Sequence, residues 1–389
     1  MTANSVLHIA AGWVLDGTGG PVRNMQMVRI QGRSIAAVRD LQPDDLRVPG
    51  LVDLTGATLL PGLVDSHVHL FMSGTTDPGI RKAQLEAEYQ DIEPAIQEHL
   101  RSHDRGGVCM VRDGGDYGGF ALRYRHENEC TGLTVKTAGK AWRRSGRYGK
   151  LIGRPPRPGR SLADAIAACA DPLDHVKVAN SGLNSLNGFG LHTQPQFSTV
   201  ELASAVASAA RRGWGIMAHA NGEAPVRLAV EAGCRSVEHG YFMGRKNLER
   251  MAERGTFWVP TLMPMKAIGA VVDPKSGAAD ISRRNLDHQM DQVAYARRIG
   301  VRIALGTDAG AIGVHHGQSV REEMRLLIEA GLTIPEAVHA ATRAGAELAG
   351  EEGLGMIRPG FSARIIAVDG PPEGLPESLG RICWRVVEG

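Results

Sequence analysis

From Pro61 to about Gly350, short apolar runs alternate with segments of helical periodicity. The interval is roughly 30 to 40 residues, the rhythm of successive βα units closing into a parallel barrel. The runs end near His67, Arg112, Thr137, Lys177, His219, His239, Thr261 and Asp308, eight strand ends in all. Residues 201–212 predict a helix stopped by Gly213, and residues 225–232 one stopped by Gly233. Residues 319–330 predict a third, opened by a Ser319 cap and stopped by Gly331. Glycine just past the last periodic residue is the expected stop.

Outside that region the period shortens to that of strands. Residues 6–10, 12–15, 26–30, 34–38 and a last run before Pro61 read as β-strands, divided by turn residues at 17–21 and 31–33. After residues 353–360, two more strands are expected, at 363–369 and 382–387. The fold class expected is α/β. Residues 61–350 form a (β/α)8 TIM barrel, and residues 1–60 plus 351–389 form a small β-sandwich domain from both chain ends.

Composition narrows what such a chain can do. With 389 residues and 43% hydrophobic content it can bury a large core. A formal net charge of +2 argues against nucleic acid or an anionic membrane as the main partner and leaves a small-molecule substrate, with a homo-oligomer compatible. Cys109, Cys130, Cys169, Cys234 and Cys383 are scattered and odd in number, the usage of a reduced, cytoplasmic compartment. The N-terminus lacks a basic stretch followed by a long apolar one, so no signal peptide is read, and no run is long enough to predict a membrane span.

The chemistry begins at Leu60-Pro61-Gly62-Leu63-Val64-Asp65-Ser66-His67-Val68-His69-Leu70. In a strand, side chains alternate, so His67 and His69 project from one face and Val68 from the other. Two imidazoles on one face can chelate a metal, and the nearby Asp65 could accept the outer ring N–H of a ligating histidine. Alone the pair is a weak signal. Barrels of this type carry their reactive groups at the C-terminal ends of the strands, where Lys177, His219, His239 and Asp308 also fall. Taken singly, each has an ordinary alternative: a hydrogen-bonded core histidine, a surface lysine, or an aspartate capping a helix.

Five stretches in order carry a resemblance. They are Asp65-Ser66-His67-Val68-His69, His175-Val176-Lys177, Ala218-His219-Ala220-Asn221-Gly222, Ser236-Val237-Glu238-His239-Gly240 and Gly306-Thr307-Asp308-Ala309-Gly310. Together they resemble the binuclear, metal-dependent amidohydrolase superfamily, in its imidazolonepropionase and Xaa-Pro dipeptidase branch. The resemblance covers nearly the whole chain. It implies that His67, His69 and Asp308 hold one divalent ion, that His219 and His239 hold another, and that Lys177 bridges the two. An ammonium has only donors, so bridging requires carbon dioxide to convert Lys177 to a carbamate. Imidazole and carboxylate ligands suit zinc. The implied reaction is hydrolysis of an amide or related C–N bond, with a metal-bridging hydroxide as nucleophile and Asp308 as general base and then acid.

Substrate choice is expected in the loops. Residues 140–160 carry many basic residues and no acidic one, and Arg143, Arg144 or Arg147, with Tyr148, are candidates to bind a substrate carboxylate. A solvated basic loop has the same composition. The branch often carries a Gly-Gly-His-Gly-like stretch here, whereas residues 141–149 have no histidine, so a dipeptide, an N-acyl amino acid and a cyclic amide all remain open. His316, after the eighth strand, is a further substrate-contact candidate. The rival reading is a mononuclear, metal-dependent deaminase of a heterocycle, which has no use for Lys177 as a ligand; a non-enzymatic scaffold predicts lost ligands, and every expected ligand type is present.

Overall fold

A computed structural model describes residues 5–128 and 132–386. All eight expected parallel strands are present. Leu63–Val68, Val108–Asp113 and Thr134–Thr137 pair in parallel order, and so do Val176–Ala179, Ile216–Ala220, Ser236–His239, Phe257–Val259 and Arg302–Ile303. Helices cover these strands, which explains why they read as near-continuous apolar runs. Leu63–Val68 is buried along its whole length, His67 included.

Between the third and fourth strands lies an insertion that periodicity does not reveal. Ala141–Trp142 pairs with Gly153–Arg154 and, through Trp142, with Val178 of the fourth strand. Two residues are too few to leave a period. At the other seam the eighth strand returns to the first: Ser66 N donates to Leu305 O at 2.9 Å and Asp308 N to His67 O at 2.7 Å.

The two chain ends meet in one six-stranded sheet. Its order is Ile382–Arg385, Ile365–Asp369, Val52–Pro61, Val6–Val14, Arg23–Gln31 and Ser34–Asp40. Ile9, Val28, Ile30, Leu59 and Ile365 form a core of their own there. The expected strands 6–10 and 12–15 are one strand: the register shifts between Ala11 and Trp13, so Gly12 marks a bulge and not a turn. A Cβ on Gly12 would lie 2.2 Å from Thr55 O, which is why glycine stands there.

The helices follow their caps. Ser198 and Glu201 close a reciprocal capping box on Thr199–Ala210. The expected Ser319 cap is corrected: Gln318–Glu329 starts from Gly317, and Ser319 Oγ instead accepts the backbone N–H of His315 at 2.9 Å. Among the described residues Cys109, Cys169, Cys234 and Cys383 form no disulfide, and Cys130 lies outside them. No helix is long and apolar enough to cross a membrane among those residues.

Candidate metal centre

The first and eighth strands bring three donors together. Asp308 Oδ1 lies 3.6 Å from His67 Nε2 and 3.6 Å from His69 Nε2. Among the described residues these three form the only group of three or more histidine, cysteine or acidic side chains spaced to hold a metal ion. Ligand atoms about 2.1 Å from a shared ion stand about 3 to 3.5 Å apart, so the spacing fits. Asp308 has φ of +58°, a left-handed conformation held by the seam hydrogen bond to His67 O. A Cβ on Gly114 would lie 2.7 Å from His69 Cε1 and 3.4 Å from His67 Nε2, so glycine keeps that space open.

His219 and His239 stand at the ends of the fifth and sixth strands, whereas Lys177, expected at the end of the fourth, lies two residues before the end of Val176–Ala179. The His219 and His239 ring centroids are 4.6 Å apart, and that of His239 is 4.9 Å from that of His67. Lys177 Nζ is 3.0 Å from His67 Nε2 and fully buried. The ring nitrogens divide in a consistent way. His67 Nδ1 faces Glu238 Oε2 at 2.8 Å, His69 Nδ1 faces Gly115 O at 2.8 Å, His219 Nε2 faces Gly182 O at 3.0 Å, and His239 Nδ1 faces Thr261 Oγ1 at 2.7 Å. Each imidazole therefore has an outer partner on one nitrogen and turns the other toward the remaining donors, the pattern of ligating histidines, with Lys177 Nζ lying against His67 Nε2.

Burial sets the charges. It holds His69 down to about 3 and His219 to about 4, and it holds His67 and His239 well below the usual range, so all four rings are neutral and able to ligate. Burial also pushes the Asp308 carboxyl up to about 7, against the pull of Lys177, and brings the Lys177 ammonium down to about 8.

Residues 58–383 match the Amidohydrolase family. The chain belongs to that family. It is 26% identical over 416 residues to ochratoxinase from Aspergillus niger, an alignment covering 94% of this chain and 82% of that one. It is 25% identical over 345 residues to imidazolonepropionase from Rhodococcus jostii, covering 82% and 76%. The solved structure of a Xaa-Pro dipeptidase with bound methionine superposes with a TM-score of 0.82 at 25% identity over 98% of both chains.

In this amidohydrolase the loop candidates separate. The Tyr148 ring lies 5.1 Å from that of His219, beside the metal donors, and burial raises its phenol so that it keeps its proton. Arg144 is drawn off: its guanidinium pairs with Glu201 at 2.7 Å and covers the Phe197 ring. Arg143 Nη1 donates to Arg144 O and Arg147 O, and Arg147 Nη2 to Gln194 O at 2.7 Å. His316 belongs to a buried cluster, stacked on His99 at 4.0 Å, with Nε2 on Met72 O and Nδ1 on His103. Both its ring nitrogens are thereby engaged, so it packs behind the site and has none left for substrate.

Sequence reasoning missed the outer partners. Asp65 does not reach a histidine ring; it accepts Thr307 N at 2.9 Å, Thr307 Oγ1 at 2.6 Å and His67 N at 3.3 Å, and so locks the first strand to the eighth. The carboxylate on His67 is Glu238, which also accepts from Arg112 at 3.2 Å and from the Ser236 hydroxyl. A glutamate inside an apolar strand, one residue before a candidate ligand, was the available signal for it. Thr261, the residue at the seventh strand end, partners His239. No signal short of the fold pairs those two.

Proposed function

We propose that this amidohydrolase cleaves an amide or related C–N bond in a small molecule bearing a carboxylate. His67, His69 and Asp308 would hold one divalent ion and His219 and His239 a second, zinc being the metal that imidazole and carboxylate donors suit, and Lys177, once converted to a carbamate, would supply oxygen donors to both. The observation that carries this reading is Asp308 Oδ1 set 3.6 Å from both His67 Nε2 and His69 Nε2. The closed (β/α)8 barrel over residues 61–350 belongs to the same proposal, supported by the seam hydrogen bonds; residues 1–60 plus 351–389, expected as a β-sandwich, meet in one six-stranded sheet.

Such ions, when bound, acidify water and polarise a carbonyl. The side chains do the rest. Asp308, raised by burial, takes a proton from the attacking water at its carboxylate and returns it to the leaving nitrogen. Tyr148 keeps its proton and can donate to a substrate oxygen near His219. Among relatives, the name Xaa-Pro dipeptidase supports an amide whose released part is an amino acid, and the basic loop supports an acidic one.

Two measurements test the proposal. The metal-loaded protein is screened against N-acyl amino acids, dipeptides and cyclic amides for amine release, and metal per chain is counted by elemental analysis. About two ions per chain and release from a carboxylate-bearing amide are expected. Bicarbonate-dependent reconstitution with native mass spectrometry tests the carbamate, and full activity and metal occupancy in Lys177→Ala would sink it. The second reading, a mononuclear deaminase, is favoured by the fact that, among the described residues, only His67, His69 and Asp308 converge as a ready three-donor set. One ion per chain, with ammonia released from a heterocycle, would establish it instead.

A further inference from the structure

Thr261 has φ of +45° and His239 φ of +68°. A β-branched residue almost never enters that region, and such strain persists only where the surroundings over-determine it. Gln289 Nε2 and Trp258 Nε1 both donate to His239 O, the latter at 2.9 Å, and Tyr241 Oη donates to Thr261 O at 3.2 Å. Immediately after Thr261, Leu262 N and Met263 N donate to the two oxygens of Glu323 at 2.9 and 2.8 Å.

Glu323 is fully buried and comes from the helix Gln318–Glu329, which follows the strand end carrying Asp308. Its carboxylate serves as the missing cap of Met263–Val271, whose own N-cap residue, Leu262, supplies no side-chain hydrogen bond. A favourable helix end alone is a poor reason to bury a carboxylate, because a local serine or aspartate would satisfy the same N–H groups at a lower desolvation cost. Burial pushes the Glu323 carboxyl up, and the two backbone N–H bonds pull it back by favouring the ionised form. What the distant carboxylate adds is position: it pins the backbone next to a strained residue whose hydroxyl touches a candidate metal ligand.

We propose that Glu323 is a positioning residue for His239, holding Leu262 and Met263 so that Thr261 Oγ1 stays on His239 Nδ1 and Nε2 remains the nitrogen offered to the ion. The inference rests on the reading of His239 as a metal ligand. It links the helix that follows Asp308 to the opposite side of the centre.

The test uses Co2+ binding to the full-length protein, followed by chelator competition and by the cobalt absorption spectrum, with thermal unfolding alongside. Glu323→Gln keeps one acceptor but sets an amide N–H against the other backbone N–H. It is expected to stay folded and to lose about 10- to 100-fold in affinity for the weaker Co2+, with an altered spectrum. Thr261→Val should show the same defect and Thr261→Ser should restore it. The double variant Glu323→Gln with Thr261→Val should be no worse than the worse single one, because both act through one hydroxyl. Wild-type Co2+ affinity in Glu323→Gln, or losses that multiply in the double variant, overturns the proposal. Should Glu323→Gln fail to fold, Thr261→Val with unchanged affinity overturns it equally. A wild-type protein that binds no Co2+ removes the metal reading itself, whereas normal binding in wild type and variant alike removes only the positioning role.

Discussion

Glu238 Oε2 stands 2.8 Å from His67 Nδ1 while its Oε1 accepts from Arg112 at 3.2 Å, all three side chains being buried. One carboxylate thus joins a candidate ligand to a guanidinium that has no solvent to fall back on. Glu238→Ala leaves that charge unpaired and is expected to cost about 3–5 kcal/mol of stability. Glu238→Gln keeps the volume but gives His67 a weaker partner, and metal affinity should fall by about 10- to 100-fold. Chemical denaturation and metal titration separate the two effects. An alanine variant as stable as wild type would show that Arg112 finds another partner.

Gly114 keeps the space between His67 and His69 open. In Gly114→Ala the new Cβ would come 2.7 Å from His69 Cε1 and 3.1 Å from its Nε2. The His69 ring must turn away, and metal content should drop by about tenfold or more while the fold is kept. Elemental analysis with circular dichroism checks this, and full metal content in the alanine variant would show that the rings do not need that space.

Much of the frame was legible because it depends on periodicity. Buried parallel strands must be apolar throughout, so the eight runs announced themselves, and looking to strand ends for polar groups picks out His67, Lys177, His219, His239 and Asp308, which the fold brings near one another. The residues that tune those groups were not visible. Glu238 stands inside a motif that does not announce its role, and Thr261, Glu323 and Gly114 work through contacts between elements far apart in sequence. Ser319 and His316 show the opposite error. Each is the right residue type in the right neighbourhood, but Ser319 holds the His315 N–H, and the nitrogens of His316 go to Met72 and His103. Local chemistry suggests a role, and only the packing decides which partner wins.

Metal uptake should depend on pH through Asp308 in particular. Its folded carboxyl, pushed up to about 7, binds a proton more tightly than in the unfolded chain, so between about pH 4 and 7 this group's contribution to the stability of the metal-free protein falls as pH rises. An ion requires the ionised form. His69, held to about 3, and His219, to about 4, are already neutral there and have no proton to release. In protein kept free of carbon dioxide, Zn2+ affinity at His67, His69 and Asp308 should therefore rise by up to about tenfold per pH unit between about pH 6 and 7, with about one proton released from Asp308 for the ion bound there. Calorimetry in two buffers of different ionisation enthalpy measures that proton. Affinity that is flat across this range would place the Asp308 carboxyl low in the folded protein.

Substrate charge can be assigned by reversing the loop arginines one at a time, because the three are held differently. Arg144 is committed to Glu201, so Arg144→Glu should cost that ion pair and leave KM nearly unchanged. Arg147 is exposed, with Nη2 on Gln194 O, and Arg143 braces the same turn through Arg144 O and Arg147 O. A charge-assisted hydrogen bond to a carboxylate contributes about 1.5–3 kcal/mol. Arg147→Glu should then raise KM for a carboxylate-bearing amide by about tenfold or more with kcat little changed, since the carboxylate is gripped equally in the ground and transition states. The methyl ester of the same substrate should show no such change. Unchanged kcat/KM in Arg143→Glu, Arg144→Glu and Arg147→Glu alike would leave the basic loop a solvated surface and move carboxylate recognition to the Tyr148 side of the centre.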